Sequence, residues 1–261
     1  MGISVPLECD TEQQGKLEDL PMKKLLIISL LLICLALSAC SFAQVRGSGN
    51  IASEEREIAN VTVVNLATVG ELTIELGDEE ALRIEAEDNL LSYIQSEVKD
   101  GVLTIEVRKL ASFQPTKPIR YFLTVKELEA IDNTSLGSIQ ASQLRAMNFM
   151  VQVSSAGNVN LEGLDADTLD VVLNSMGGLV IGGGEVQTQK ITINGSGGYQ
   201  AGDLRSRAAR VEINSLGEVT IWVADLLDAQ LTSAGSLSYY GDPKVTSEVT
   251  SLGKLIPLGT K

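Results

Sequence analysis

From about residue 129 onward, short bursts of alternating apolar and polar residues flank a recurring Ser-x-Gly core. The core stands at Ser135-Leu136-Gly137, Ser155-Ala156-Gly157, Ser175-Met176-Gly177, Ser215-Leu216-Gly217, Ser233-Ala234-Gly235 and Ser251-Leu252-Gly253, and Gly195-Ser196-Gly197 fills the remaining slot. The second glycine falls at 137, 157, 177, 197, 217, 235 and 253, with spacings of 20, 20, 20, 20, 18 and 18. Four residues before it lie Val153, Leu173, Ile193, Ile213, Leu231 and Val249, with Asn133 breaking the series. Six before lie Ile131, Val151, Val171, Ile191 and Val211; two after lie Ile139, Val159, Leu179, Tyr199, Val219 and Leu237. Period-two alternation on both sides of a glycine turn predicts strands with one buried face. Each unit reads as strand, tight turn, strand and loop, with Asp165-Ala166-Asp167 and Arg205-Ser206-Arg207 in the loops.

A unit of this size cannot stand alone. Burying about four aliphatics yields roughly 6–12 kcal/mol, whereas ordering twenty residues costs at least about 20 kcal/mol of backbone entropy. Neighbouring units must therefore stack. The reading is an all-β fold: a parallel β-helix, or solenoid, of 18–20-residue coils with a β-rich amino-proximal portion. The alternative of a sandwich or antiparallel meander would need no constant period.

Residues 47–128 are less regular. Glu71 to Leu76 and Ala81 to Glu87 alternate around a Gly77-Asp78 turn, and Asp100-Gly101 predicts a hairpin between two further strands. Gly47-Ser48-Gly49-Asn50-Ile51 echoes the repeat core and favours a related coil. The stretch Phe113-Gln114-Pro115-Thr116-Lys117-Pro118 is a plausible internal boundary.

The amino-terminal part follows another pattern. Met22-Lys23-Lys24, an apolar run over residues 25–37 and Ser38-Ala39-Cys40 form a basic segment, an apolar segment and a small-residue cleavage site. The run is about 20 Å long as a helix, too short for a bilayer core of about 30 Å. Leu37-Ser38-Ala39-Cys40 resembles the lipobox of bacterial lipoproteins. That resemblance implies cleavage after Ala39, a diacylglycerol on Cys40 and a membrane partner through that lipid. Ser41 favours the outer membrane where one exists, and otherwise the outer face of the cytoplasmic membrane. The organisation is then 1–21, an upstream extension not native to the protein, with translation expected to start at Met22; 22–39, a lipoprotein signal peptide; 40–46, a lipid-anchored linker; and 47–258, the β-solenoid.

Composition narrows function. A net charge of −14 and the absence of histidine disfavour nucleic acid as a partner and remove the commonest general base and metal ligand. Cysteines occur only at 9, 34 and 40, so the repeats hold neither disulfides nor a thiolate metal site. No catalytic residues, metal or cofactor are expected. Gly182-Gly183-Gly184 lacks the Lys-Ser/Thr of a phosphate loop and reads as a flexible loop. Asp78-Glu79-Glu80 reads as a solvated turn. Thr134, Ser154, Asn174, Asn194, Asn214, Thr232 and Thr250, three before each glycine, read as a structural ladder of side chains bonding coil to coil. Five after the glycine lie Gly182, Gly202, Trp222 and Tyr240. If the register holds, Trp222 and Tyr240 stack outward on neighbouring coils, an aromatic platform suited to a sugar or protein; a covering loop or terminal cap is the structural alternative.

With Gly47-Ser48-Gly49-Asn50-Ile51, Asp88-Asn89-Leu90-Leu91, Asp100-Gly101-Val102-Leu103 and the Ser-x-Gly series in view, residues 45–258 resemble the head GIN domain family of auto-transporter adhesins. The resemblance implies a β-helical head on a bacterial envelope protein and carries no catalytic residues. The leading expectation is a non-enzymatic, lipid-anchored envelope module for adhesion or scaffolding, with a glycan or envelope protein as partner. An envelope-maintenance sensor or assembly lipoprotein acting through homotypic contacts, as a homo-oligomer, is a second expectation. A degenerate carbohydrate-active enzyme is a third.

Overall fold

The computed structural model describes residues 44–108 and 112–261. The signal peptide, Ala39 and Cys40 lie outside them. Residues Gln44–Lys261 form one compact unit, almost entirely of strands. Among the described residues the one helical element is a single 3-10 turn at Leu91–Tyr93, and no helix there is long and apolar enough to cross a membrane.

The repeats form a parallel β-solenoid. Strands β10 (Ala130–Asn133), β11 (Ser138–Val153), β12 (Val159–Leu173), β13 (Leu179–Ile181), β14 (Gly184–Ile193), β15 (Gly198–Ile213), β16 (Glu218–Leu231), β17 (Ser236–Tyr240), β18 (Lys244–Val249) and β19 (Lys254–Gly259) follow in chain order. Each residue pairs with its counterpart one coil on, as in Val151 with Val171, Val171 with Ile191 and Ile191 with Val211. Val171, Ile191 and Val211 are fully buried, so the apolar columns read from the period do stack inside. The turns interlock as well: Gly177 donates its N–H to the Ser155 carbonyl, and Gly197 to that of Ser175, at 3.0 and 2.9 Å. At Gly177 a Cβ would collide with the Ser155 and Gly157 carbonyls of the coil below, which is why this column stays glycine.

The coil has a third side that the alternation conceals. Along β12 the buried pair Gly163 and Leu164 and the exposed pair Asp167 and Thr168 break the period of two. The ladder to β11 skips Glu162 and Asp167. These are corners, and between them the chain runs as strand. Asp165-Ala166-Asp167 and Arg205-Ser206-Arg207 therefore lie in β12 and β15 rather than in loops. The third side adds one interior column, with Leu144, Leu164 and Leu204, while Phe149, Leu169, Gln189, Ala209 and Leu227 add a column at the near end of the side that carries Val171. Only one inward residue fits between the two corners, too short a run to show alternation. Gly184 belongs to the same corner geometry: its φ of +109° and the Leu164 carbonyl against it exclude a side chain, so the triple glycine is a fitted corner, not a flexible loop.

The predicted side-chain ladder is present. Asn194 Nδ2 donates to Asn174 Oδ1 at 2.9 Å, Asn214 Nδ2 to Asn194 Oδ1 at 3.0 Å, and Thr232 Oγ1 to Asn214 Oδ1 at 3.2 Å. Asn133, the exception in its apolar column, is buried at the first turn. Its amide donates to the Gly137 carbonyl at 2.7 Å and its Oδ1 accepts from the Ser135 N–H.

The amino-proximal portion extends two of the sides. β3 (Val63–Ala67) and β4 (Glu71–Leu76) lie parallel beneath β10 and β11 and are joined by Thr68-Val69-Gly70, a further turn of the Ser-x-Gly kind. Beneath them lie β7 (Val102–Val107) and β9 (Arg120–Val125), also parallel. The end is closed by antiparallel strands: β6 (Ile94–Lys99) on β7, β5 (Ala81–Glu87) on β9, and β2 (Ile51–Arg56) on β5. Asp100 and Gly101 turn the β6–β7 hairpin with φ of +50° and +82°, the signature expected of Asp-Gly. Capping hairpins and first coils thus coexist. The Asp78-Glu79-Glu80 turn is anchored, since the Glu80 carboxylate accepts from the N–H groups of Asn60 and Val61 at 2.5 and 3.1 Å.

Gly47-Ser48-Gly49 is not a coil turn. It wraps the carboxylate of Glu87, which is almost fully buried. The space a Gly47 Cβ would need is occupied by that carboxylate. Glu87 accepts from the Gly49 N–H at 2.7 Å, the Thr116 N–H at 2.8 Å and the Thr116 hydroxyl at 2.5 Å. The Pro-flanked stretch is therefore held inside the unit and is no boundary. Gln44–Arg46 (β1), the end of the expected linker, pairs in parallel with Ser112–Gln114 (β8).

The Thr116 hydroxyl, followed by backbone N–H groups, holds the Glu87 carboxyl below its ordinary value of 4.5 against the opposing effect of burial. A lowered folded-state pKa stabilises wherever the unfolded carboxyl is ionised, and that contribution disappears as pH falls through the folded value. Glu87→Gln is expected to lower the urea midpoint of the amino-proximal strands at pH 7. The difference from wild type should shrink as pH falls below the ordinary value of 4.5 and through the lowered folded-state value, measured by denaturation at a series of pH values.

Candidate functional site

The change of period from 20 to 18 is absorbed where β15 and β16 slip register twice: β15 has three unpaired residues after Ala201, and β16 has one extra residue between Val223 and Leu226. β15 and β16 are in register up to Ala201 and Ile221, then resume at Arg205 and Trp222. Gly202-Asp203-Leu204 of the longer coil thus has no counterpart and bulges. Beside the bulge, Trp222 of β16 pairs with Tyr240 of β17. Ile221 and Val223 on either side of Trp222 point into the core, so Trp222 points out. Both aromatics are half-buried.

The bulge and the rings pack against each other. A Cβ on Gly202 would stand 3.2 Å from the Tyr240 ring, so glycine lets the ring lie flat there. Lys261 stands over both aromatics, its Nζ 4.6 Å from the Tyr240 centroid and 5.7 Å from that of Trp222. The same ammonium donates to the Gly202 carbonyl at 2.8 Å and pairs with the Asp203 carboxylate. The shelf therefore gathers two half-buried rings, an ammonium lying over them and a carboxylate within one small area, so the terminal lysine partly caps the aromatics. Sequence spacing brings Trp222 and Tyr240 together. It does not reveal Asp203 or Lys261, whose approach depends on the bulge; the two-residue loss between repeats was the available signal.

A buried polar group supports the shelf from inside. Ser206 Oγ donates to the Trp222 carbonyl at 2.9 Å and accepts from Gln189 Nε2 at 2.7 Å, while the Tyr199 hydroxyl donates to Gln189 Oε1 at 3.0 Å. Burial pushes the Tyr199 phenol far up, so it remains a neutral donor. These groups fill the interior where neighbouring coils carry apolar residues (Leu169 and Ala209, Leu179 and Val219, Val186 and Val223), and they fix the backbone on which Trp222 stands.

A second concavity of about 590 Å³ lies along the opposite corner, with Ala208, Leu226 and Leu227 as floor and Asp170, Lys190, Arg210 and Lys244 around it. It is an open groove of mixed charge. Among the described residues no three His, Cys, Asp or Glu side chains are grouped to hold a metal ion.

This is a three-sided parallel β-solenoid with antiparallel closure at one end and an aromatic shelf on an outer corner. The family described as "Putative auto-transporter adhesin, head GIN domain" matches residues 60–243, and the chain belongs to that family. Its fold is similar to that of a putative adhesin from Bacteroides fragilis, at 23% identity and a TM-score of 0.75, covering 83% of this chain and 98% of that one. It is likewise similar to a putative lipid binding protein from Parabacteroides distasonis (23% identity, TM-score 0.70, 82% of this chain and 99% of that one). A putative adhesin from Parabacteroides merdae aligns at 19% identity and a TM-score of 0.66, over 82% of this chain and 99% of that one. Each of these solved chains thus aligns over nearly its whole length with about four fifths of this one. No curated relative matches the chain.

The chain has one tryptophan, which makes the shelf its own reporter. Lys261→Gln is expected to raise acrylamide quenching of Trp222 while changing stability by no more than about 1 kcal/mol, the worth of an exposed cation–π contact. Quenching unchanged from wild type would show that Lys261 does not cover the ring in solution.

Proposed function

We propose that the chain is a non-enzymatic, lipid-anchored binding module of the bacterial cell envelope whose shelf grips a glycan. The family and its solved relatives, named as adhesins, support the coarser reading of an adhesion-like module. The observation that carries the finer one is the shelf itself. Sugar rings offer C–H faces that would stack on Trp222 and Tyr240 once the Lys261 side chain swings off them, and their hydroxyls would find a carboxylate acceptor in Asp203 and a donor in the displaced Lys261.

Anchoring rests on Leu37-Ser38-Ala39-Cys40. Acyl chains on Cys40 would hold the module at the membrane surface, at about 0.8 kcal/mol per buried CH₂. With Ser41 next, the proposed location is the outer membrane, or the outer face of the cytoplasmic membrane in a cell with one membrane.

Titration of the Gln44–Lys261 unit with bacterial envelope polysaccharides, followed by calorimetry, tests the ligand. Wild type should bind, and Trp222→Ala and Tyr240→Ala should each weaken binding at least about tenfold, as expected for aromatic anchors. Equal affinity in the variants, or binding to an envelope protein instead of any polysaccharide, would overturn the glycan assignment. Anchoring has its own test: the full chain grown with labelled palmitate should carry label and sediment with membranes, and Cys40→Ser should do neither.

A further inference from the structure

The middle residue of each Ser-x-Gly turn points into water, and the stacked coils bring these residues into one line. In order along the edge they are Val69, Leu136, Ala156, Met176, Ser196, Leu216, Ala234 and Leu252. Four of them are large and strongly exposed: Leu136 at 68%, Met176 at 71%, Leu216 at 61% and Leu252 at 76%. From Leu136 onward large and small side chains alternate strictly. With coils about 4.8 Å apart, the knobs recur about every 9.6 Å along an edge of about 34 Å.

The edge is also nearly free of charge. Across the five columns from three residues before each glycine to one after it, counting Gly70 as the first, the charged residues are Glu71, Glu218 and Lys254. In a chain of net charge −14 such an edge is the place where two like-charged bodies can meet, and depletion of charge with exposed apolar anchors marks an interface core.

We propose that this edge pairs two copies of the chain, antiparallel, about a two-fold axis passing between Met176 and Ser196. That operation sets Leu136 of each copy over Ala234 of the other, Met176 over Ser196 and Leu216 over Ala156, so every inner knob meets a small residue. It also brings Lys254 at one end to Glu71 at the other, twice. A period of two coils is matched only by a surface with the same pitch, and another copy of this solenoid has it. The interface is isologous and closes at two. A strip of about 34 by 15 Å amounts to about 1,000 Å² in total, the low end for a specific interface, and calls for a dimer of micromolar strength. This inference is independent of the glycan reading, which concerns a different corner.

Sedimentation velocity of the Gln44–Lys261 unit from about 1 to 200 µM should show a monomer–dimer equilibrium. The decisive variant is Ala156→Leu with Ser196→Leu, which fills the holes. Leucine already occupies the equivalent positions 136, 216 and 252, so folding tolerates it. The interlocked pairing predicts dimerisation at least about tenfold weaker, through overpacking. Unspecific apolar association, or docking to a lipid surface, predicts the reverse, because the variant is more apolar. A monomer throughout the range, or a dimer strengthened by the added leucines, overturns the proposal; Met176→Ser with Leu216→Ser should weaken the dimer as well.

Discussion

Each inward residue of this protein stands directly over its counterpart one coil away, because the backbone of every coil is hydrogen-bonded in parallel to the next. That ladder is the constraint everything else obeys. It neutralises the backbone polar groups of strands whose inner faces are dry, and it forces Val151, Val171, Ile191 and Val211 into a single column. A coil cannot bury its apolar face without neighbours, so the coils stand or fall together. The turns share the constraint: stacked glycines leave room for the carbonyls of the coil below, and the Asn–Thr ladder repeats the backbone's arrangement in side chains.

A ladder with fixed register cannot absorb a change of coil length along a side, only at a corner. The two-residue shortfall of β16 therefore appears as a three-residue bulge of β15, Gly202-Asp203-Leu204, offset by one extra residue of β16 between Val223 and Leu226. The bulge makes the shelf, since it carries Asp203 outward and leaves a glycine under the Tyr240 ring. The buried trio of Gln189, Tyr199 and Ser206 holds the adjoining backbone. Irregularity in the repeat and chemistry on the surface coincide because one produces the other.

The ends of a solenoid expose unpaired strand edges, a hazard for uncontrolled association. One end here is closed by the antiparallel strands β6, β5 and β2, which turn the parallel ladder aside. At the other, β19 carries Pro257 and Lys254, and β18 carries Lys244 and Glu248. Proline and charge discourage further strand addition. The apolar line along the turns is a different kind of edge. Its side chains, not its backbone, are offered to a partner, so contact there need not extend the sheet.

The sequence by itself determined the solenoid. A constant 18-to-20-residue period with inward aliphatics on both sides of a glycine admits little else, and the Asp-Gly hairpin, the Asn ladder and the proximity of Trp222 to Tyr240 follow from local chemistry and register. Tertiary structure decided what period alone cannot encode. The third side was hidden because one inward residue between two corners shows no alternation. Gly47-Ser48-Gly49 looked like a coil turn, yet its conformation is set by Glu87, some forty residues away. Lys261 and Asp203 reach the aromatic shelf only through the bulge and the path of the last strand. Local pattern reports which face of the chain is buried. Which distant side chain fills a corner depends on packing in three dimensions, and no spacing along the chain records it.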